Sequence, residues 1–501
     1  MRLLALIEGT DYRLVRGSLD VEIRGVRYDS RKVEAGDLFV CITGFALDGH
    51  EFLRAAWAAG AVAALVERDD LPESALQGGT VVKVADAREA LALAAARFFS
   101  YPSRQLALVG VTGTNGKTTT TYLVESILRR AGHTVGLLGT IAYRCGGLEM
   151  QAGRTTPEAP DLQELLQRMV DLGATSAVME VSSHALALRR VDGCEFDVAV
   201  FTNLTQDHLD FHGSMNSYRK AKLALFERLG RGATKAIEKA AVINRDDPAC
   251  EVFLGAAQTT RYTYGLEGPA DLSATDIRIG PDGIRCRLRS VWGTTAIQSP
   301  LLGRYNLSNI LAAAGAGLHL GATLTQVAEG ISALDRVPGR CERVEEGQEF
   351  GVVVDYAHTP DALQRVLQMA RECCPGRLIA LFGCGGDRDR GKRPLMGEAA
   401  LRLADFTVIT SDNPRTEDPD RIIGEIEEGA KKVWGEGRRY VIIPDRAMAI
   451  REALSLARRS DMVVIAGKGH EAYQIIGDRR IPFDDRQVAR EALRELGLAR
   501  G

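Results

Sequence analysis

A chain of 501 residues exceeds what one hydrophobic core organises and points to about three domains. With 45% hydrophobic and 26% charged residues the composition is that of a soluble globular protein, and a net charge of -3 excludes a surface built as a whole for nucleic acid or another polyanion. The nine cysteines include no C-x-x-C pair, and no run of 18 apolar residues occurs, so neither a disulfide framework nor a membrane span is expected. Met1 to Ile7 is too short an apolar run for a signal peptide, and the expected location is the cytoplasm.

In chain order, Leu38–Ile42 and Ala61–Val66 read as strands, and Glu51–Ala59 and Ala87–Phe99 as helices. Tyr101-Pro102-Ser103 breaks the pattern and reads as a linker. A second unit begins with the strand Leu106–Val111, a Gly-rich turn and a helix over Lys117–Arg130. Strands at Ala177–Val181 and Asp197–Phe201 each lead into a polar motif, the arrangement of an α/β sheet with its function at strand C-termini. The stretch from about 258 to 300 is rich in strand and turn signals and suggests a small accessory sheet. Val337-Pro338-Gly339-Arg340 marks the next boundary. Strands at Gly351–Asp355, Leu378–Phe382, Phe406–Thr410, Tyr440–Ile443 and Met462–Ala466 then alternate with helices, as in a Rossmann-like doubly wound sheet. The expected class is α/β in three domains: a small α/β unit over 1–102, a P-loop ATPase-like unit over 103–337 and a Rossmann-like unit over 338–501.

Gly113-Thr114-Asn115-Gly116-Lys117-Thr118-Thr119 lies between a strand and a helix. Such a loop turns backbone N–H groups toward phosphate oxygens at a helix N-terminus. Lys117 offers a charge to the terminal phosphates and Thr118 a hydroxyl to Mg²⁺. Val111 stands where the common phosphate-loop pattern has its first glycine, so this is a shorter variant. Two further strand ends carry Glu180-Val181-Ser182-Ser183-His184 and Asn203-Leu204-Thr205-Gln206-Asp207-His208-Leu209-Asp210. A carboxylate and an imidazole so placed suit a second Mg²⁺. Four of the eight histidines (His184, His208, His358 and His470) fall in such motifs.

These motifs, together with Asn306-Leu307-Ser308-Asn309 and Asp355-Tyr356-Ala357-His358-Thr359-Pro360, resemble those of the Mur ligase family, in the family's order and over essentially the whole chain. The resemblance implies three domains that bind a UDP-sugar, ATP and an amino acid. It implies an ATP-dependent, ADP-forming amide ligase of peptidoglycan synthesis that phosphorylates the D-Glu side carboxylate of UDP-MurNAc-L-Ala-D-Glu and passes the acyl group to an amine. A carboxylate repels nucleophiles and lacks a leaving group. Phosphorylation removes both obstacles, after which positioning and charge stabilisation dominate. By the same resemblance Gly113 to Thr119, Asn306 and Asn309 bind the nucleotide, and Thr118, Glu180 and His208 hold Mg²⁺. Lys222, in Tyr218-Arg219-Lys220-Ala221-Lys222, matches a carbamylated lysine, although such a run also reads as an exposed helix face.

At the substrate ends, Tyr28-Asp29-Ser30-Arg31 resembles a uridine-side motif, with Ser30 as its contact, followed by a Phe45-Ala46-Leu47 loop more apolar than in relatives. Thr155, Thr156, Ser182 and Arg190 match sugar-peptide positions, Leu188 stands where some relatives have Gln, and Thr155-Thr156-Pro157 also suits a helix start. Asp412-Asn413-Pro414-Arg415 matches the motif of the family's diaminopimelate ligases, whose lysine ligases lack the Arg; as a bare pattern it is also a turn. A guanidinium grips the distal carboxylate that lysine lacks. The same resemblance implies that Arg388 takes the other carboxylate, and Gly467 and Glu471 the distal amino-acid head. The implied partners are small molecules, without nucleic acid, and a monomer is expected. A P-loop switch without amide synthesis, or a family member using lysine, folate or cyanophycin, are the alternatives; Arg415 and the Asp-Ser-Arg motif speak against the latter group.

Overall fold

The computed structural model describes residues 1–44, 47–230, 235–433, 435 and 439–499. Their strands form three main sheets that succeed one another along the chain, with a hairpin of Tyr473–Ile476 and Arg479–Pro482 beside the last. In the first sheet Gly25–Arg27, Asp37–Val40, Ala63–Val66 and Thr80–Val84 run parallel, and Tyr12–Arg16 closes one edge antiparallel to Thr80–Val84. The expected helix over 51–59 is split. A 3₁₀ turn, Gly49–Phe52, is capped by Asp48, whose carboxylate accepts from His50 N, and the α-helix begins only at Leu53. The cap satisfies the first N–H groups locally and favours the tighter turn there.

The second sheet has eleven strands. Ala107–Thr112 lies at its centre, parallel to Ser176–Glu180 on one side and Val198–Phe201 on the other. All three strands are buried throughout, as a parallel sheet covered on both faces requires. One face packs Leu123 and Ile127 of Lys117–Arg130 with Leu311 of Arg304–His319; the other packs Leu162 and Leu166 of Ala159–Asp171 with Leu225 and Phe226 of Met215–Arg228. This order sets the ends of three strands side by side, so motifs far apart in sequence share one edge of the sheet.

The stretch from about 258 to 300 does not form the separate accessory sheet expected from its sequence. Thr260–Tyr264 pairs in parallel with Ala240–Asn244, and Leu272–Gly280, Gly283–Ser290 and Gly293–Ser299 continue the central sheet outward. Arg285, Arg287 and Arg289 face solvent while Ile284, Cys286 and Leu288 face the core, the alternation of a sheet covered on one side. Period-two patterning identifies such strands but not the sheet they join, because pairing partners are non-local.

The third sheet runs in the spatial order Glu342–Arg343, Gly351–Asp355, Met462–Ala466, Leu378–Phe382, Phe406–Ile409 and Arg439–Ile442, parallel except at its first, two-residue edge. Within a residue or so these five parallel strands are the expected ones. Beneath them Arg446 and Asp485, both fully buried, form a bidentate pair with two contacts of 2.7 Å, and Arg446 also donates to Ala466 O at 3.0 Å and Ser411 O at 3.3 Å. Removing one partner strands the other charge in the interior. Arg446→Met should therefore lower the local opening free energy of the Met462–Ala466 amides by ~3–5 kcal/mol in hydrogen exchange, and adding Asp485→Leu should restore most of it.

Candidate active site

The phosphate loop follows the central strand and closes against neighbouring elements. Gly116 has φ +86, and a Cβ there would lie 2.4 Å from Asn309 Oδ1, so only glycine lets helix Arg304–His319 approach. Asn309 Nδ2 donates to Asn306 Oδ1 at 2.9 Å, and Asn306 Nδ2 to Leu302 O at 2.8 Å, which fixes both amides beside the loop. The Lys117 ammonium folds back onto Gly113 O at 3.0 Å and Thr114 O at 2.8 Å. Burial lowers its pKa, with Glu180 and Asp207 pulling the other way.

Thr118 Oγ1 donates to Glu180 Oε1 at 3.0 Å and accepts from Arg340 Nη2 at 3.1 Å. Glu180 also accepts from Thr140 N at 2.8 Å and Thr140 Oγ1 at 3.1 Å. On the next strand end His208 adopts φ 52 and stands 3.4 Å from Asp207. The His184 ring packs edge-on to His208 at 4.7 Å and stacks on Phe211 at 4.3 Å. Burial, then the neighbouring His208, push the His184 pKa down to about 4, so this imidazole is neutral at pH 7.

Lys222 is the departure from surface expectation: it is 1% exposed, its Nζ donates to Gly113 O at 2.7 Å, and it lies 4.5 Å from the Tyr218 ring centroid. Desolvation, then repulsion by Lys117, hold its pKa well below that of an ordinary lysine. Among the described residues no group of three or more His, Cys, Asp or Glu side chains forms a metal cage. Mg²⁺ needs none: it commonly takes one or two protein ligands and completes its shell with phosphate and water. The Thr118 hydroxyl and Glu180 carboxylate, hard oxygens at the helix N-terminus, fit that demand.

A cavity of about 890 Å³ opens over the loop, and its lining includes Lys117, Glu180, His208, Lys222 and Asn306 together with Thr155 and Ser182. Thr156, just below, donates from Oγ1 to Glu180 O at 2.9 Å and accepts from Ser182 N at 3.2 Å. The helix start suggested for Thr155-Thr156-Pro157 lies elsewhere: the N-cap is Glu158. From the third unit come Tyr356, under Arg340 at 4.7 Å, and Asp361, which accepts from Asn115 Nδ2 at 2.8 Å and Thr205 Oγ1 at 3.1 Å. Sequence reasoning gave Arg340 and Asp361 no role. Arg340 was legible only as a boundary, and Asp361 follows the motif ending at Pro360.

Arg190, buried in the second unit, donates from Nη1 to Thr156 O at 3.1 Å, and the remaining candidate residues gather in two places outside that lining. At strand ends of the third sheet Asn413 Nδ2 donates to Glu471 Oε2 at 2.9 Å, and the fully buried Lys468 donates to Glu471 Oε2 at 3.1 Å and Asn413 Oδ1 at 3.2 Å. Lys468 is a further residue to which the motif alone assigned nothing. Gly467, φ +119, would place a Cβ 2.5 Å from Asp412 Oδ2, so glycine lets the two loops meet. Pro414 is buried beside them, Arg415 Nη1 donates to Gly386 O at 2.7 Å, and Arg388 is exposed and donates to Asp387 O at 2.9 Å. In the first unit Ser30 opens a 3₁₀ turn capped by Asp29, and Tyr28 donates to Asp161 Oδ2 at 2.6 Å. Phe45 and Ala46 lie outside the described residues.

Comparison with known proteins finds matches along the chain. The model for "Mur ligase family, catalytic domain" matches residues 22–99, "Mur ligase middle domain" 111–317 and "Mur ligase, glutamate ligase domain" 339–469. The UDP-N-acetylmuramoyl-L-alanyl-D-glutamate–2,6-diaminopimelate ligase of Geobacillus thermodenitrificans is 48% identical over 474 residues, 95% of either chain. That of Geobacter metallireducens is 49% identical over 492 residues, 96% of either chain. A solved structure titled as the same ligase has 35% identity and a TM-score of 0.70, and covers 99% of both chains.

Proposed function

The chain belongs to the Mur ligase family, and from that premise we propose that residues 1–102 bind the UDP-sugar, 103–337 the nucleotide and 338–501 the incoming amino acid. The protein is an ATP-dependent ligase of peptidoglycan synthesis that joins meso-diaminopimelate to the D-Glu side carboxylate of UDP-MurNAc-L-Ala-D-Glu, giving UDP-MurNAc-tripeptide, ADP and phosphate. The observation that carries the assignment of roles is the shared cavity: the phosphate loop and the peptide-side residues Thr155 and Ser182 line one space, so a carboxylate can meet a terminal phosphoryl group.

In this scheme Lys117 and the loop N–H groups hold the phosphates, with Asn306 and Asn309 on the nucleotide side. Thr118, Glu180 and His208 would hold Mg²⁺, which neutralises phosphate charge when bound. Ser30, Thr155, Thr156, Ser182 and Arg190 hold the sugar-peptide. Arg388 and Asp412 to Arg415, with Gly467 and Glu471, hold the diamino acid so that its free amine can attack the acyl phosphate. Lys222 acts as a carbamate. Its burial beside Gly113 and its lowered pKa support this, because a neutral amine is the form that adds CO₂.

All three subsites come from a single chain, which supports a monomer as the working unit. No helix among the described residues is long and apolar enough to cross a membrane. The use of ATP and nine unpaired cysteines support a reducing, cytoplasmic setting.

Phosphate release from ATP, Mg²⁺ and UDP-MurNAc-dipeptide, with diaminopimelate or lysine as acceptor, tests the scheme. Release that depends on diaminopimelate is the expected result. Release favouring lysine would overturn the acceptor assignment, and ATP binding without acceptor-dependent release would favour a nucleotide switch.

A further inference from the structure

Two loops carry the arginines assigned above to the acceptor, Arg388 after Leu378–Phe382 and Arg415 after Phe406–Ile409, and one carboxylate joins them. Glu417 Oε1 accepts from Asp387 N at 2.6 Å and from Arg393 Nη2 at 2.8 Å, and its Oε2 accepts from Arg393 Nη1 at 3.0 Å. Arg393 is fully buried on helix Lys392–Leu403. Its Nη2 also donates to Gly385 O at 3.2 Å, so one guanidinium holds both the carboxylate and the loop that the carboxylate grips. Hydrogen bonding to Arg393 pushes the Glu417 pKa down to about 2, so this carboxylate is ionised at pH 7.

A plain ion-pair link between helices Lys392–Leu403 and Pro419–Lys431 would need only Glu425, which lies on the second helix and accepts from Arg393 Nη1 at 2.6 Å. Glu417 precedes that helix, and what it adds is a bond to the backbone of the other loop. Gly386 and Asp387 share one planar peptide unit. Its N–H donates to Glu417, and its carbonyl accepts from Arg415 Nη1 at 2.7 Å. Asp387 then turns left-handed at φ 52, and its own carbonyl accepts from Arg388 Nη1 at 2.9 Å. A residue with a side chain keeps that conformation only where its surroundings hold it. Here the Asp387 carboxylate accepts from Thr416 Oγ1 at 2.7 Å and Thr416 N at 3.2 Å, and Gly386 N donates to Asn413 O at 2.9 Å. Both guanidiniums therefore lean on the short stretch of backbone that Glu417 fixes.

We propose that Glu417, aimed by Arg393, is a positioning residue for acceptor recognition: it fixes the Gly386–Asp387 peptide plane and so sets where Arg388 and Arg415 stand toward the carboxylates of diaminopimelate. The inference rests on the acceptor assignment above. Glu417 itself touches no substrate in this scheme. A guanidinium recognises a carboxylate through paired N–H donors, so its aim matters as well as its charge. Arg388 and Arg415 are long side chains, and a rotated peptide would swing both of their tips. Losing such a support weakens capture of the diamino acid and leaves the nucleotide and sugar-peptide sites as they were.

The test uses the full-length enzyme and steady-state phosphate release, with ATP, UDP-MurNAc-L-Ala-D-Glu and diaminopimelate varied in turn. Glu417→Gln keeps the size of the side chain but turns an amide donor toward the Arg393 guanidinium. It should raise the KM for diaminopimelate about 10-fold, with kcat and the other two KM values held within about twofold. In an Arg415→Met background, where the Gly386 carbonyl has no guanidinium to seat, the same substitution should cost less than about threefold in kcat/KM. Thr416→Val removes the exposed hydroxyl tether to Asp387, leaves the Arg393 contacts in place and should raise the diaminopimelate KM about threefold. An unchanged diaminopimelate KM in Glu417→Gln would overturn the proposal; should that variant not fold, an unchanged KM in Thr416→Val would do the same. An equal rise in all three KM values, or the same cost in both backgrounds, would make Glu417 a purely structural contact and also overturn it. A wild type without diaminopimelate-dependent release would strike the acceptor assignment and this inference with it, whereas a normal wild type beside an unaffected variant strikes the inference alone.

Discussion

Arg415→Met is expected to lower the preference for meso-diaminopimelate over lysine from roughly 10⁴ or more to within about 10², read as the ratio of kcat/KM values. Almost all of the change should come from weaker use of diaminopimelate. The Arg415 backbone is held left-handed at φ 52 by the hairpin: its N–H donates to Ile475 O at 3.1 Å, and its carbonyl accepts from Gly477 N at 2.7 Å. Among the described residues its side chain is anchored at one nitrogen, Nη1, to Gly386 O. Desolvation, then the nearby Arg388, lower its pKa, so a carboxylate between the two guanidiniums relieves a repulsion as well as forming ion pairs. Lysine brings no carboxylate there. Its ε-ammonium would face Glu471, which already accepts from Lys468 and Asn413. An Arg415→Met enzyme that kept the wild-type ratio would remove Arg415 from acceptor choice.

That distal site was largely legible in the sequence because its residues sit in short motifs after strands whose apolar runs are plain. Gly467 to Glu471 follow Met462–Ala466, and Asp412 to Arg415 follow Phe406–Ile409. The phosphate loop was legible for the same reason: strand, glycine turn and helix are consecutive. What could not be read were relations between distant segments. Nothing local distinguishes a hairpin extending the central sheet from one standing alone, and nothing in Val337-Pro338-Gly339-Arg340 says that Arg340 reaches the hydroxyl of Thr118. Glu158 sits one residue beyond a motif that was read, but nothing local says that Arg88, 70 positions earlier in the chain, comes beside it. Buried charges are the hardest case. Arg446, Lys468 and Lys222 look like surface residues by type, and only the fold supplies the acceptors that let them stay inside.

Lys222 turns that last point into the other large expected effect: Lys222→Ala should cost about 10³-fold or more in kcat, with the ATP KM changed far less. As an unmodified ammonium, Lys222 would add a second cation beside Lys117, in the cavity proposed above for the nucleotide phosphates. Among the described residues the lysine's cost of burial is then offset by the Gly113 carbonyl, the Tyr218 ring and the Asp207 charge. The lowered pKa instead raises the fraction of neutral amine at pH 7. In the proposed modification the ammonium first loses one proton; the neutral amine then adds to CO₂, an N–C bond forms, a second proton leaves to solvent, and the side chain has changed from cation to anion. Excess bicarbonate should therefore raise wild-type activity, and ¹³C-bicarbonate should give a carbamate carbon signal that is absent from Lys222→Ala. Lys222→Met fills most of the same volume and should be as inactive as the alanine variant, separating lost charge from a lost packing contact. Full activity in either variant would exclude a catalytic role for Lys222, and a wild type indifferent to bicarbonate with no carbamate signal would leave the buried amine unmodified.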